Sequence, residues 1–112
     1  IKEIKIPRPL AAGIFIKTMG NVYRVKLSKR ALKDLRKVPI YVALKLQTWV
    51  HAVGRYGLQE VRKIKGYHDE LLKGDRAGQR SIRLNKAYRA IYIIDHDEVY
   101  FAEIIEVTKH EY

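Results

Sequence analysis

Three clusters of residues carry the side chains that proton transfer and anion binding require. The first is the run Tyr67-His68-Asp69-Glu70-Leu71-Leu72-Lys73-Gly74-Asp75-Arg76, the second Arg80 and Arg83 with Lys86 and Arg89 after them, and the third Lys109-His110-Glu111-Tyr112. Together they hold what cleavage of an RNA phosphodiester demands. The 2′-hydroxyl needs a base, the extra charge on phosphorus needs cations, and the departing 5′-oxygen needs a proton. Glu70 can be the base, Lys73 and Arg83 the cations, and His110 the acid, because imidazole titrates near neutrality. Tyr112 can stack on a base, orient a phosphate or assist proton transfer. Each cluster also has a plainer reading. Arg83 is equally a surface arginine paired with Glu103 or Glu106, and a terminal His and Tyr are often just solvated.

The scheme calls for no metal and no cofactor. His51, His68, His96 and His110 lack zinc-ligand spacing, and the acidic turn at residues 95–98 lacks the length and pattern of a calcium loop. Gly74-Asp75-Arg76-Ala77-Gly78 lacks the Gly-Lys-Ser/Thr ending of a P-loop and leads into a strand rather than a helix. With no cysteine, disulfides and thiolate metal sites are excluded.

Charge narrows the partners. Twenty-three Lys and Arg against twelve Asp and Glu leave a net charge of +11 in 112 residues. Such an excess repels itself in a compact domain and usually meets RNA, DNA, an anionic membrane surface or an acidic protein. No apolar run approaches the roughly 20 residues that span a bilayer, so no membrane partner and a cytoplasmic location are expected.

The elements that must position these residues follow from periodicity. Residues 1–18, with Ile4, Ile6, Pro7 and Pro9, read as an extended N-terminal extension to a domain covering 19–112. Val22-Tyr23-Arg24-Val25-Lys26-Leu27 alternates as a half-buried strand does. Ser28 offers an N-cap to a first helix carrying Ala31, Leu32, Leu35 and Val38, with Lys29, Arg30, Lys33, Arg36 and Lys37 outward. Pro39 divides it from a second helix with the stripe Val42, Leu46, Trp49, Val50 and Val53, for which Gly54 is the expected stop. Residues 55–78 are polar and glycine-rich, with Leu58, Val61 and Ile64 marking a short helical turn. Strands are expected at 80–84, 88–94 and 99–107, the last two joined by a hairpin turn at Asp95-His96-Asp97-Glu98. The order β-α-α-β-β-β predicts an α+β domain, its helical hairpin packed on one face of a mostly antiparallel four-stranded sheet. The two-residue period puts Ile82 and Leu84 on the helix side and Ser81 and Arg83 on the open face, where a guanidinium can fork onto a phosphate.

Three segments in this order resemble the RelE/ParE toxin superfamily. They are Tyr23-Arg24-Val25-Lys26-Leu27-Ser28 before two helices, then residues 72–84 from Leu72-Lys73-Gly74 to Ser81-Ile82-Arg83-Leu84, then Tyr88-Arg89-Ala90-Ile91-Tyr92. The Leu-Lys-Gly loop, the Ser-x-Arg strand and the terminal Lys-His-Glu-Tyr are most similar to the HigB, YoeB and YafQ toxins, over about residues 22–112. The resemblance implies the RelE-like fold and the toxin of a type II toxin–antitoxin pair. Its activity would be ribosome-dependent, metal-independent endonucleolytic cleavage of messenger RNA on the 70S ribosome. An antitoxin would neutralise it, and operator DNA would be reached only through that antitoxin. Carried over by motif, the catalytic residues are Glu70, Lys73, Arg83, His110 and Tyr112; Glu111 separates the last two, a departure from a simple His-Tyr pair. His68 competes with Glu70, and it is grouped with Arg76, Arg80, Lys86, Arg89 and Lys109 as RNA-binding; for Arg76, Arg80, Lys86 and Arg89 a structural role stays open. Two alternatives remain: a ParE-type gyrase inhibitor without nuclease residues, and a basic RNA- or ribosome-binding protein without chemistry.

Overall fold

A computed structural model of the chain describes residues 21–106. Strand β1 (Arg24–Leu27) leads into α1 (Lys29–Leu35), α2 (Ile40–Tyr56) and the single-turn α3 (Leu58–Val61). Then come β2 (Glu70–Leu71), β3 (Arg80–Arg83), β4 (Tyr88–Asp95) and β5 (Glu98–Glu106). The sheet order is β1-β5-β4-β3-β2, with β1 parallel to β5 and every other pair antiparallel. The sheet thus has five strands where the sequence suggested four. The fifth is the two-residue β2, too short to show a period.

Ser28 makes the first turn of the chain. Its hydroxyl accepts from the Ala31 amide at 2.9 Å, capping α1, and donates to the Ala102 carbonyl of β5 at 2.7 Å. The Asp34 carboxylate accepts from the Ile104 amide at 3.1 Å, so α1 satisfies backbone groups of β5 beyond the reach of β1. Pro39 is the N-cap of α2, which buries Val42, Leu46, Trp49 and Val53 at helical spacing. The expected stop at Gly54 is wrong by one turn. The helix ends at Gly57, which has φ +87° and presses so close to the Asn21 side chain that a Cβ would collide with it. Asn21 in turn accepts from the amides of Val22 and Gln59 at 2.9 Å each, tying the entry of β1 to the end of α2.

On the helix side, Ile82, Leu84, Ala90, Tyr92, Val99, Phe101 and Ile104 pack against the helices. Trp49, Tyr92 and Phe101 form its centre, with ring centroids 5.2–5.4 Å apart in tilted and edge-on contacts. The register of β4 on β5 shifts between Ile91–Glu103 and Tyr92–Phe101, leaving Ala102 as an extra residue. That bulge is what lets Phe101 and Ile104, three apart, both face the core. Residues 95–98 form the expected hairpin, with His96 and Asp97 at positive φ. No helix among the described residues is long and apolar enough to cross a membrane.

Candidate active site

The face of the sheet away from the helices carries most of the singled-out residues. Glu70 pairs with Ser81, Ser81 with Ile91, Ile91 with Glu103, and Arg83 with Arg89. Alternation puts all of these on that face, with Arg83 about 7 Å along β3 from Ser81. The face is less open than the sequence suggested. Ser81 is fully buried and Ile91 nearly so. Arg76, between β2 and β3 in the chain, reaches Glu103 on β5 at 3.0 Å, so the loop after β2 folds across β4. Glu103 also lies 3.7 Å from Arg30 at the start of α1.

Glu70 is half exposed on this surface. Its Oε1 lies 3.4 Å from an Nη2 of Arg89 and 3.6 Å from the Nε2 of His68. Arg89, for which phosphate binding and a structural role were both open, is buried. Its Nε donates to the Ser81 hydroxyl at 2.9 Å, and its Nη2 donates to the carbonyls of His68 at 2.9 Å and Ser81 at 3.3 Å. His68 takes a left-handed conformation, φ 45° and ψ 53°, that directs the chain into β2. Lys73 is exposed and follows β2 directly, three residues after Glu70. Arg83 is half-buried on β3, and Lys86 is exposed at the β3–β4 turn, where Asn85 accepts from the amides of Ala87 and Tyr88. The structure therefore brings together Glu70, His68, Arg83 and Arg89, whereas Lys73 follows the end of β2 farther from Arg83 and Lys86 lies in the turn after β3. Pairing of Arg83 with Glu103 or Glu106 across a neighbouring strand does not fit the register. The neighbours of β3 are β2 and β4, and Glu103 is held by Arg76 and Arg30.

Arg80 is not on this face. It pairs with Tyr92, and both meet Asp69, whose side chain has no exposed surface. Arg80 Nε donates to Asp69 at 2.7 Å and the Tyr92 hydroxyl donates at 2.6 Å. Burial first, and then the bond to Asp69, push the Tyr92 phenol far above its usual range. Burial works against the charge of Arg80, but the hydrogen bond and charge of Asp69 outweigh it and leave its pKa raised. Arg80 is thus committed within the molecule rather than offered to a phosphate.

Sequence reasoning assigned no role to Asp69 and left Arg89 undecided between phosphate binding and structure. One signal bears on the second. Arg89 is the lone charge in an apolar run, Tyr88 to Ile94, read as a central strand, and a charge there must be buried and bonded. Lys109, His110 and Tyr112 lie outside the described residues. Among the described residues no group of His, Cys, Asp and Glu could hold a metal ion.

The sequence matches no established family profile and no curated protein. Solved structures do match. The toxin–antitoxin complex RelBE2 from Mycobacterium tuberculosis aligns at TM-score 0.57 and 23% identity, over 76% of this chain and 98% of that one. YafQ from E. coli strain BL21(DE3) aligns at TM-score 0.60 and 17% identity, over 73% and 90%. The chain has the RelE-like toxin fold. The YoeB–YefM complex from Staphylococcus aureus agrees, at TM-score 0.59 and 20% identity over 76% and 97% of the two chains. The RelE-like frame spans most of each relative's length, and Glu70, Lys73 and Arg83 all lie within the β2–β3 part of it.

Proposed function

We propose that this RelE-like protein is the toxin of a type II toxin–antitoxin pair, a metal-independent endoribonuclease that cuts messenger RNA on the translating ribosome in the cytoplasm. The observation that carries the reading is the half-exposed Glu70 carboxylate on the same face as Arg83, with Lys73 in the adjoining loop. Glu70 takes the proton of the 2′-hydroxyl, whose oxygen attacks the adjacent phosphorus. Arg83 and Lys73 stabilise the charge on the phosphorane oxygens. The 5′-oxygen departs with a proton from His110, leaving a 2′,3′-cyclic phosphate and a free 5′-hydroxyl. Glu106, opposite Tyr88, is one ladder position from the Arg83–Arg89 pair. His110 is four chain steps further on, a reach of at most about 14 Å. Tyr112 and Lys109 serve the same terminus as base-stacking and phosphate groups, and His68 and Lys86 contact RNA at the edges of the site. The antitoxin partner is supported by the toxin–antitoxin complexes among the structural relatives, and the +11 charge suits an acidic partner.

Induction of the protein in growing cells, with message ends mapped before and after, tests the reading. Cuts within codons that vanish when translation is blocked, and that Arg83→Ala abolishes, are the expected result. Intact messages with DNA-damage signalling would replace it with topoisomerase inhibition. Ribosome binding without cuts would leave a non-catalytic RNA-binding protein.

A further inference from the structure

We propose that Arg76 and Glu103 form a latch that fastens the β2–β3 loop across the open face of the sheet and so positions Lys73, at the start of that loop's turn; neither residue touches RNA. The part that concerns cleavage rests on the nuclease reading of Lys73. β2 and β5 are three strand spacings apart, about 14 Å, farther than one side chain reaches. The loop backbone must therefore lie over the sheet for Arg76 to meet Glu103. Ile91, directly opposite Glu103 on β4, is accordingly only 2% exposed on a face turned away from the helices.

The loop closes on itself, since the Leu72 amide donates to the Gln79 carbonyl at 2.8 Å and the Gln79 amide to the Arg76 carbonyl at 2.9 Å. These bonds set its shape but not its tilt on the sheet. The Arg76 fork sets the tilt. Its Nη1 donates to the Gln79 side chain and its Nη2 to Glu103, each at 3.0 Å, so one planar group ties the end of the loop to β5. Glu103 is only 13% exposed, against 41% for Arg76, and a carboxylate so withdrawn from water needs a fixed cation. Arg30, at 3.7 Å, is beyond hydrogen-bond length and is the weaker partner. The Arg76 amide in turn donates to the Lys73 carbonyl at 3.3 Å, so a shift of Arg76 carries Lys73 with it. The competing role for Arg76 is a phosphate contact, and the two roles differ in sign. If Glu103 merely occupies an arginine meant for RNA, neutralising it frees Arg76 and tightens binding. If the two form a latch, neutralising either one loosens the same loop.

The test is a double-mutant cycle in the full chain with Arg76→Gln, Glu103→Gln and both. Amide hydrogen exchange read by NMR needs no activity. The amides of Leu72, Ala77 and Gln79 should exchange about 5- to 20-fold faster in each single variant and at most about twofold faster again in the double, with those of β4 and β5 unchanged. In cleavage by translating ribosomes, each single variant should lower kcat by about 3- to 10-fold with KM within about twofold, and the double should match the singles. Unchanged loop exchange in Arg76→Gln, losses that multiply in the double, or KM moving in opposite directions in the two singles would each overturn the latch. Arg76→Gln, on a surface loop, decides the exchange arm alone if Glu103→Gln does not fold. A wild-type chain that cuts nothing would remove the nuclease reading, and exchange would still decide whether Arg76 and Glu103 hold the loop.

Discussion

Asp69 and Glu70 stand side by side in the chain and each meets an arginine, but on opposite faces of the sheet and with burial reversed. Asp69 has no exposed side-chain surface and takes bonds from Arg80 and Tyr92, while Arg80 keeps 18% exposure. Glu70 is 47% exposed, and it is its arginine, Arg89, that lies buried. In the first pair both carboxylate oxygens are committed to bonds within the molecule. In the second the anion is at the surface with a fixed cation below it. Under the proposed function, the pair whose carboxylate faces water serves chemistry and the pair whose carboxylate is buried serves stability.

The largest expected effect tests that division directly. Glu70→Gln should lower cleavage by about 10²- to 10⁴-fold with little change in thermal midpoint, and Asp69→Asn should leave kcat per folded molecule within about threefold. If the two variants lose activity alike, the contrast is wrong. Asp69→Ala strands Arg80 without its anion and should cost about 3–5 kcal/mol in urea unfolding, against under about 1 kcal/mol for Glu70→Ala at its exposed site.

Tyr92→Phe is the next smaller change. It removes one bond to Asp69 and should cost about 1–2 kcal/mol near neutral pH. Because Tyr92 titrates above its ordinary value of 10.0 in the folded state, the fold favours the protonated phenol. Its contribution is complete below pH 10 and is lost as the pH rises beyond it. The alkaline decline in stability should therefore be shallower in Tyr92→Phe than in the wild type, although Tyr67, raised by burial, keeps part of it. The smallest effect is at the rim. Lys86→Ala should weaken RNA binding and reduce the slope of log affinity against log salt by about 0.7, with stability unchanged.

Much of this frame can be read from residue patterns because burial there is repetitive. The stripe Val42, Leu46, Trp49 and Val53 and the alternation through β1 each repeat often enough to identify an element and its inward face. Motif resemblance singled out Glu70, Lys73 and Arg83, and the structure sets Glu70 and Arg83 on one face of the sheet. What single residues decide was not legible. The two-residue β2 has no period, the Ala102 bulge breaks the alternation of β5, and the turn at His68 depends on a bond from Arg89 twenty-one residues later. Asp69 was hidden for a related reason. Within a polar run its burial follows from meeting Arg80 and Tyr92 on strands not yet paired.

The seating of α1 on β5 limits how a flexible partner can grip this molecule. Extended peptides commonly attach by adding themselves to a sheet's border, matching amide to carbonyl down its length. Here the border of β5 beyond β1 is already satisfied by Ser28 and Asp34. Among the described residues the outermost strands are β1, four residues bearing Arg24 and Lys26, and β2, only two residues long. So short a rail gives a visiting chain few backbone rungs, and recognition falls to side chains laid over the faces. A partner can then change sequence without losing its hold, provided its acidic and apolar groups land where the basic and apolar ones wait.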